Sequence, residues 1–129
     1  MKVVYPVILS ENPNDKVPFY VSIPDLNTQT QGEDIVNAIE MARDAINLMI
    51  VNMEDEGKTV PSPNSKEYEL EDGDKIAYVD ADPDMYRKKL KGLSVKKNCT
   101  IPQWLAEAAE NKGINFSRVL QEALMEKVV

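Results

Sequence analysis

The alternation of apolar and polar residues predicts three short strands in the first quarter of the chain. Val3–Leu9 is apolar and β-branched, and the turn formers Glu11–Asp15 after it predict a hairpin loop. Phe19–Ile23 returns as a second strand, which Pro24 ends. The polar stretch Asn27–Gln31 fits a strand at the edge of a sheet better than a strand in its centre.

A spacing of three and four residues between apolar positions then predicts one amphipathic helix, which Asp34 can cap. The positions that share the predicted buried stripe are Ile35, Ala38, Ile39, Ala42, Ala45, Ile46, Met49 and Ile50. Residues 60–65 contain two prolines and predict a loop, and Lys75–Val79 predicts a fourth strand. This order of elements predicts an α+β fold with the helix packed on one face of a sheet.

The end of the chain follows the pattern strand, helix, glycine turn, helix. Cys99 and Ile101 alternate with Lys96, Asn98 and Thr100, so the two sets lie on opposite faces of the predicted strand. Pro102 fits the first turn of one helix, Gly113 follows that helix, and Asn115 can cap the next one.

A single strand with two short helices can neither pair its backbone groups nor bury its apolar faces, so we predict a homodimer. Whether two dimers join into a tetramer stays open. The residues that we expect in the dimer core are Cys99, Ile101, Trp104, Leu105, Val119, Leu120 and Leu124.

Charge is unevenly distributed along the chain. Residues 1–85 hold 6 Lys and Arg against 18 Asp and Glu, a net charge of −12, whereas residues 86–129 hold 9 against 4, a net charge of +5. The basic segment suits a polyanion, and the acidic segment should attract a basic protein. Chance asymmetry between two solvated surfaces is the alternative interpretation.

Several functional classes are disfavoured by what the chain contains. Cys99 is the only cysteine, which rules out an internal disulfide, and the chain has no histidine, the commonest metal ligand and general base. The longest apolar stretch, around Ile46–Val51, is too short to cross a bilayer. We therefore expect a cytoplasmic protein that has no enzymatic activity, cofactor or metal and does not associate with a membrane.

Two paired copies of the Lys96–Ile101 strand would form a ribbon that fits the major groove of DNA. Its outward residues, Lys96, Asn98 and Thr100, carry groups that can read base edges. The start of the last helix offers free backbone amides to phosphate. The residues that we expect to contact phosphate are Lys97, Asn115, Phe116, Ser117 and Arg118.

Several stretches resemble HicB antitoxins that end in a ribbon-helix-helix domain. They are Phe19–Leu26, Thr30–Gly32, Asn37–Ile39, Pro61–Pro63, Val79–Asp82, Tyr86–Leu90, Thr100–Leu105 and Gly113–Ser117. The resemblance implies a partial RNase-H-like, HicB-like toxin-binding domain over residues 1–85, a basic linker over 86–92, and a DNA-binding and dimerisation domain over 93–129. It also implies two partners, a HicA-type mRNA-cleaving toxin and operator double-stranded DNA, and hence repression of the protein's own operon.

We expect the toxin-binding surface to include Tyr20, Asp25, Glu33 and Asp34. One alternative function is a stand-alone ribbon-helix-helix repressor whose N-terminal domain senses a ligand or oligomerises. Another is a metal-dependent nuclease, because paired carboxylates can hold divalent cations. The carboxylates of that alternative are Asp25, Asp80, Asp82 and Asp84.

Overall fold

The computed structural model describes residues 1–92 and 94–129, and contacts within the chain divide it into two units, Met1–Leu93 and Ser94–Val129. The N-terminal unit contains β1 (Val3–Glu11), β2 (Phe19–Ile23), a 3₁₀ turn (Pro24–Leu26), β3 (Thr28–Gly32), α1 (Ile35–Asp55), β4 (Lys75–Ala81) and α2 (Pro83–Lys91). The C-terminal unit contains α3 (Gln103–Asn111) and α4 (Phe116–Val128). The predicted α+β class is confirmed.

The four strands form one sheet in the order β3-β2-β1-β4, and every neighbouring pair is antiparallel. The register places Tyr5 opposite Val79 and Leu9 opposite Val21. The polar strand β3 lies at the edge, as its composition predicts, and runs one residue later than expected. One face of this sheet is covered by α1.

The core lies between α1 and that sheet face. Its buried members are Tyr5, Val7, Val21, Ile23, Leu26, Ala38, Ala42, Ile46, Ile50, Val79 and Ala81. The predicted helical stripe is confirmed except at Ile35, which is 57% exposed because it stands in the first turn of the helix. Gly32 allows this turn to approach β3 closely, since a Cβ there would lie 2.4 Å from the backbone nitrogen of Ala38.

The start of α1 is fixed by two side chains. The Asn37 backbone N–H donates to Asp34 Oδ1 at 2.7 Å, and the Glu33 backbone N–H donates to Asn37 Oδ1 at 3.0 Å. Such bonds satisfy amides that have no partner inside the helix. The predicted cap at Asp34 is confirmed.

Helix α2 packs on α1 through Arg87. Its guanidinium donates to Asp55 Oδ1 at 2.7 Å and to the Val51 carbonyl oxygen at 3.3 Å. Residues 86–91, part of the segment that we predicted to be a basic linker, lie within α2, and the linker role stays a prediction. The pattern of lysines indicated exposure but could not show that Arg87 reaches the acidic end of α1. None of the helices in residues 1–92 and 94–129 has the length and apolarity to cross a membrane.

Candidate functional sites

The C-terminal unit exposes the apolar faces of both its helices. No residue in the described range 94–129 is buried. Trp104 is 70% exposed, Val119 50% and Leu124 53%, and the other predicted core residues of α3 and α4, Leu105 and Leu120, are exposed as well. Large apolar side chains in this number are normally covered by another surface. The unit therefore lacks a core of its own.

The segment Ser94–Ile101, which precedes these helices, forms neither helix nor strand. No other segment in the described part of the chain pairs with it. Lys96, Asn98 and Thr100 are exposed along it, as are Lys97, Cys99 and Ile101. The strand predicted for Lys96–Ile101 stays a prediction, because its expected partner is the same segment of a second copy.

The N-terminal turn of α4 has the predicted cap. Asn115 Oδ1 accepts the backbone N–H of Arg118 at 3.1 Å. The Arg118 guanidinium donates to Glu122 Oε1 at 3.1 Å, so part of its charge is already balanced within the helix. Phe116 and Ser117 are exposed. The phosphate-binding role of this turn stays a prediction.

Asp25 is not a surface residue, and its assignment to the toxin-binding surface is wrong. It is 1% exposed, and its carboxylate accepts the backbone N–H groups of Asn64, Ser65 and Lys66 at 3.0, 2.8 and 3.1 Å. The Ser65 hydroxyl adds a fourth bond at 3.1 Å. Asp25 therefore holds the loop before β4 against the turn after β2, and a protein partner cannot reach it.

We expect Asp25→Ala to lower the free energy of unfolding by about 2 to 5 kcal/mol, because three backbone amides and the Ser65 hydroxyl would lose a charged acceptor. Urea unfolding followed by circular dichroism measures this change. Asp15→Ala is the matched control, since Asp15 is exposed in the hairpin loop and should alter stability by less than about 0.5 kcal/mol. Equal stabilities of the two variants would contradict the anchoring role.

The other three carboxylates of the nuclease alternative are engaged by cationic or backbone groups, and Asp82 and Asp84 share the N-terminal ammonium group. Arg43 donates to Asp80 Oδ1 at 2.9 Å, and this hydrogen bond holds the pKa of Asp80 below its usual value. Asp82 caps α2 by accepting the Met85 backbone N–H at 3.1 Å, and Asp84 contacts the N-terminal ammonium group. Within residues 1–92 and 94–129, acidic and cysteine side chains form no cluster of three suited to a metal ion. The four carboxylates are not brought together.

Within residues 1–92, no helix covers the sheet face opposite α1, and we call this face the open face. The register places four exposed apolar side chains on it: Val4, Tyr20, Ile76 and Tyr78, which are 47%, 47%, 40% and 68% exposed. Pro6 and Ile8, in the middle of this face, are buried. The result is an apolar surface that crosses β2, β1 and β4.

Acidic groups border the open face. Asp74 accepts the Ser10 hydroxyl at 2.7 Å at one end of β4, and Asp80 lies opposite Val4 at the other end. The loop that leads into β4 carries four further exposed carboxylates: Glu67, Glu69, Glu71 and Asp72. An apolar centre with an acidic border is suited to a basic protein.

Of the residues predicted to bind a toxin, Tyr20 lies on the open face, where its hydroxyl donates to the Gln29 side chain. Glu33 and Asp34 are exposed between β3 and α1, and Asp34 is engaged as the helix cap. Sequence reasoning missed Ile76, Tyr78 and Val4. Strand β4 contains the sequence Ile76-Ala77-Tyr78-Val79 and is therefore apolar on both faces. Since α1 covers only one face of the sheet, this pattern indicates that the other face is covered by a partner.

Comparison with known proteins places this chain beside bacterial antitoxins. The family model described as a HicB-like antitoxin of bacterial toxin–antitoxin systems matches residues 5–123. No curated protein matches. A solved toxin–antitoxin complex from Streptococcus pneumoniae has a chain that is 23% identical, with a TM-score of 0.58 and coverage of 98% of this chain and 99% of that chain. The antitoxin HicB of Burkholderia pseudomallei is 19% identical, with a TM-score of 0.49 and coverage of 98% and 99%.

Proposed function

The chain belongs to the HicB-like antitoxin family of bacterial toxin–antitoxin systems, and on that premise we propose that it neutralises a HicA-type toxin and represses its own operon. In this proposal the protein acts by binding alone. The N-terminal unit binds the toxin, and the C-terminal unit dimerises and binds operator DNA. The main observation in support of a dimeric DNA-binding unit is that no residue in the described range 94–129 is buried, so this unit needs a second copy to form a core.

Dimerisation supplies what the C-terminal unit lacks. Two copies of Lys96–Ile101 can pair as an antiparallel ribbon, and the apolar faces of α3 and α4 can form a shared core beneath it. A two-stranded ribbon fits the major groove, whose base edges its outward side chains can read. Lys96, Asn98 and Thr100 are the outward residues of this ribbon.

Toxin binding is best supported on the open face. A toxin that grips RNA presents a basic surface, which an acidic border attracts and orients. Tyrosines in the centre of an interface commonly provide much of the binding energy. Tyr78, with 68% of its surface exposed, and its neighbour Ile76 are the anchors that we propose.

We expect the double variant Ile76→Thr/Tyr78→Thr to bind the toxin at least about 100-fold more weakly than the unchanged chain, because two interface anchors are truncated. Threonine keeps the strand propensity of β4. Biolayer interferometry with the immobilised HicA-type toxin from the neighbouring gene gives the affinity. Growth during co-expression reports neutralisation in cells.

The matched control is Val36→Gln/Leu48→Gln, which removes two apolar side chains that are 67% and 42% exposed on α1, away from the open face. It should bind the toxin like the unchanged chain. If the control weakens binding and the β4 variant does not, the toxin docks elsewhere. If the unchanged chain itself neither binds the toxin nor restores growth, the antitoxin role fails, and a stand-alone repressor takes its place.

A further inference from the structure

Most of the net positive charge of residues 86–129 comes from the short segment 86–92 rather than from the C-terminal unit. Residues 94–129 hold five Lys and Arg against four Glu, a net charge of +1. Residues 86–92, by contrast, hold Arg87, Lys88, Lys89 and Lys91 and no carboxylate. Affinity for DNA depends strongly on the number of phosphates that cationic side chains neutralise. The C-terminal unit supplies five cations that four carboxylates largely balance, whereas residues 86–92 add four cations and no carboxylate.

The four cations of α2 have different surroundings. Arg87 is turned toward α1, where its hydrogen bond with Asp55 raises the pKa of the guanidinium above its usual value. Lys88, Lys89 and Lys91 are exposed, and none forms an ion pair within the described residues. Arg87 thus fixes the helix to its own unit, while its three neighbours extend into solvent.

These three lysines lie in the last turn of α2, and we call them its basic surface. Lys88 and Lys91 stand three residues apart and are neighbours on one side of the helix, whereas Lys89 extends from another side. Like charges at this spacing repel one another, whereas an anion between them removes that cost. The surface is followed by Gly92, which ends the helix in the left-handed conformation.

We infer that Lys88, Lys89 and Lys91 bind the phosphate backbone of the operator beside the groove that the ribbon occupies. The inference rests on the DNA-binding half of the proposed function. Covalent geometry supports the inference, because the five steps along the chain from Lys91 to Lys96 span at most about 18 Å when fully extended. Phosphates border the major groove, which is about 12 Å wide. This short connection limits how far Lys91 can lie from a ribbon seated in that groove.

The inference also accounts for how an acidic protein approaches DNA. Residues 1–85 carry a net charge of −12 and would be repelled by the duplex. The three lysines stand in the chain between that acidic part and the predicted ribbon. In contact with phosphate, they would contribute to affinity equally for every DNA sequence, since backbone contacts carry no base information.

The test is the full-length variant Lys88→Gln/Lys89→Gln/Lys91→Gln, with fluorescence anisotropy on two duplexes at several salt concentrations. One duplex spans the promoter upstream of this gene, and the other has the same composition in scrambled order. Each lost phosphate contact lowers the slope of log K against log salt by about 0.9, and a dimer loses each contact twice. We expect the slope to fall by about 2 to 5 and the affinity for both duplexes at 0.1 M salt to fall at least 100-fold.

The matched control is Lys16→Gln/Lys66→Gln/Lys75→Gln, which removes the same charge from exposed lysines elsewhere in the N-terminal unit. A control slope that stays within about 0.5 of the unchanged chain supports local contact with phosphate. Equal losses in the two variants would overturn the inference, because net charge alone would then explain them. The inference would also be overturned if the α2 variant kept the same salt slope as the original protein while the original protein binds its promoter. If the unchanged chain does not prefer its promoter, the operator role itself fails.

Discussion

Leu120→Asp/Leu124→Asp should convert the protein from a dimer into a monomer that no longer binds its operator. Both leucines lie on the apolar face of α4, where they are 40% and 53% exposed in the single chain. Burying a leucine contributes roughly 1.5 to 3 kcal/mol, and each position occurs twice in a dimer. A buried unpaired aspartate adds a further cost. We therefore expect the dimer to dissociate at least about 1000-fold more readily.

Sedimentation velocity at micromolar concentration measures this effect, with the unchanged chain sedimenting as a dimer or a larger assembly. Gln121→Asp is the control, because Gln121 lies on the same helix, is exposed and is not among the predicted core residues. It should leave both the dimer and operator binding intact. A monodisperse monomer for the unchanged chain would refute the dimer, and with it the ribbon.

The N-terminal fold was predictable because its signals are local. The cap at Asp34 and the three-and-four spacing after it predict α1, and Pro24 and the polar β3 sequence mark the end of one strand and the edge of the sheet. These signals depend on neighbouring residues. They require no knowledge of which segments meet in space.

The errors concern contacts between distant residues. Asp25 was assigned to a surface because it is acidic and follows a strand, but its partners are amides about 40 positions later in the chain. Likewise, the pairing of Arg87 with Asp55, which holds α2 against α1, is not visible in the local sequence. A charged side chain is therefore predicted correctly as exposed only when the fold does not bring a hydrogen-bond or ion-pair partner to it.

The open face could not be predicted from the sequence alone. Alternation along a strand shows which residues share a face, but it does not show which face a helix covers. Ile76 and Tyr78 were included in a predicted strand, yet their exposure follows from α1 covering the other side of the sheet. The C-terminal unit is the opposite case. Its incompleteness was predictable from the sequence, because one strand and two short helices cannot close a core.

Lys96→Ala, Asn98→Ala and Thr100→Ala should each weaken operator binding strongly while leaving weak binding to scrambled DNA. All three side chains alternate along the segment that we expect to form the ribbon, and all three are exposed in the single chain. A base contact contributes about 1 to 3 kcal/mol, and a dimer would make each contact twice, so the expected loss is about 30-fold to 20,000-fold. Because the dimer has a twofold axis, the operator should be a pseudo-palindrome.

The contrast with phosphate-binding residues makes this prediction specific. Removing Lys97 or Arg118 should weaken binding to operator and scrambled DNA by the same factor and reduce the salt dependence, because phosphate contacts are independent of sequence. The three ribbon variants should instead lower the ratio of operator to scrambled affinity, and Lys96→Ala alone can also change the slope through its charge. Anisotropy on both duplexes separates the two classes, and circular dichroism confirms that each variant is folded. If Lys96→Ala, Asn98→Ala and Thr100→Ala all keep the unchanged chain's preference for the operator, the ribbon does not read the bases, and the ribbon-helix-helix assignment of this segment is wrong.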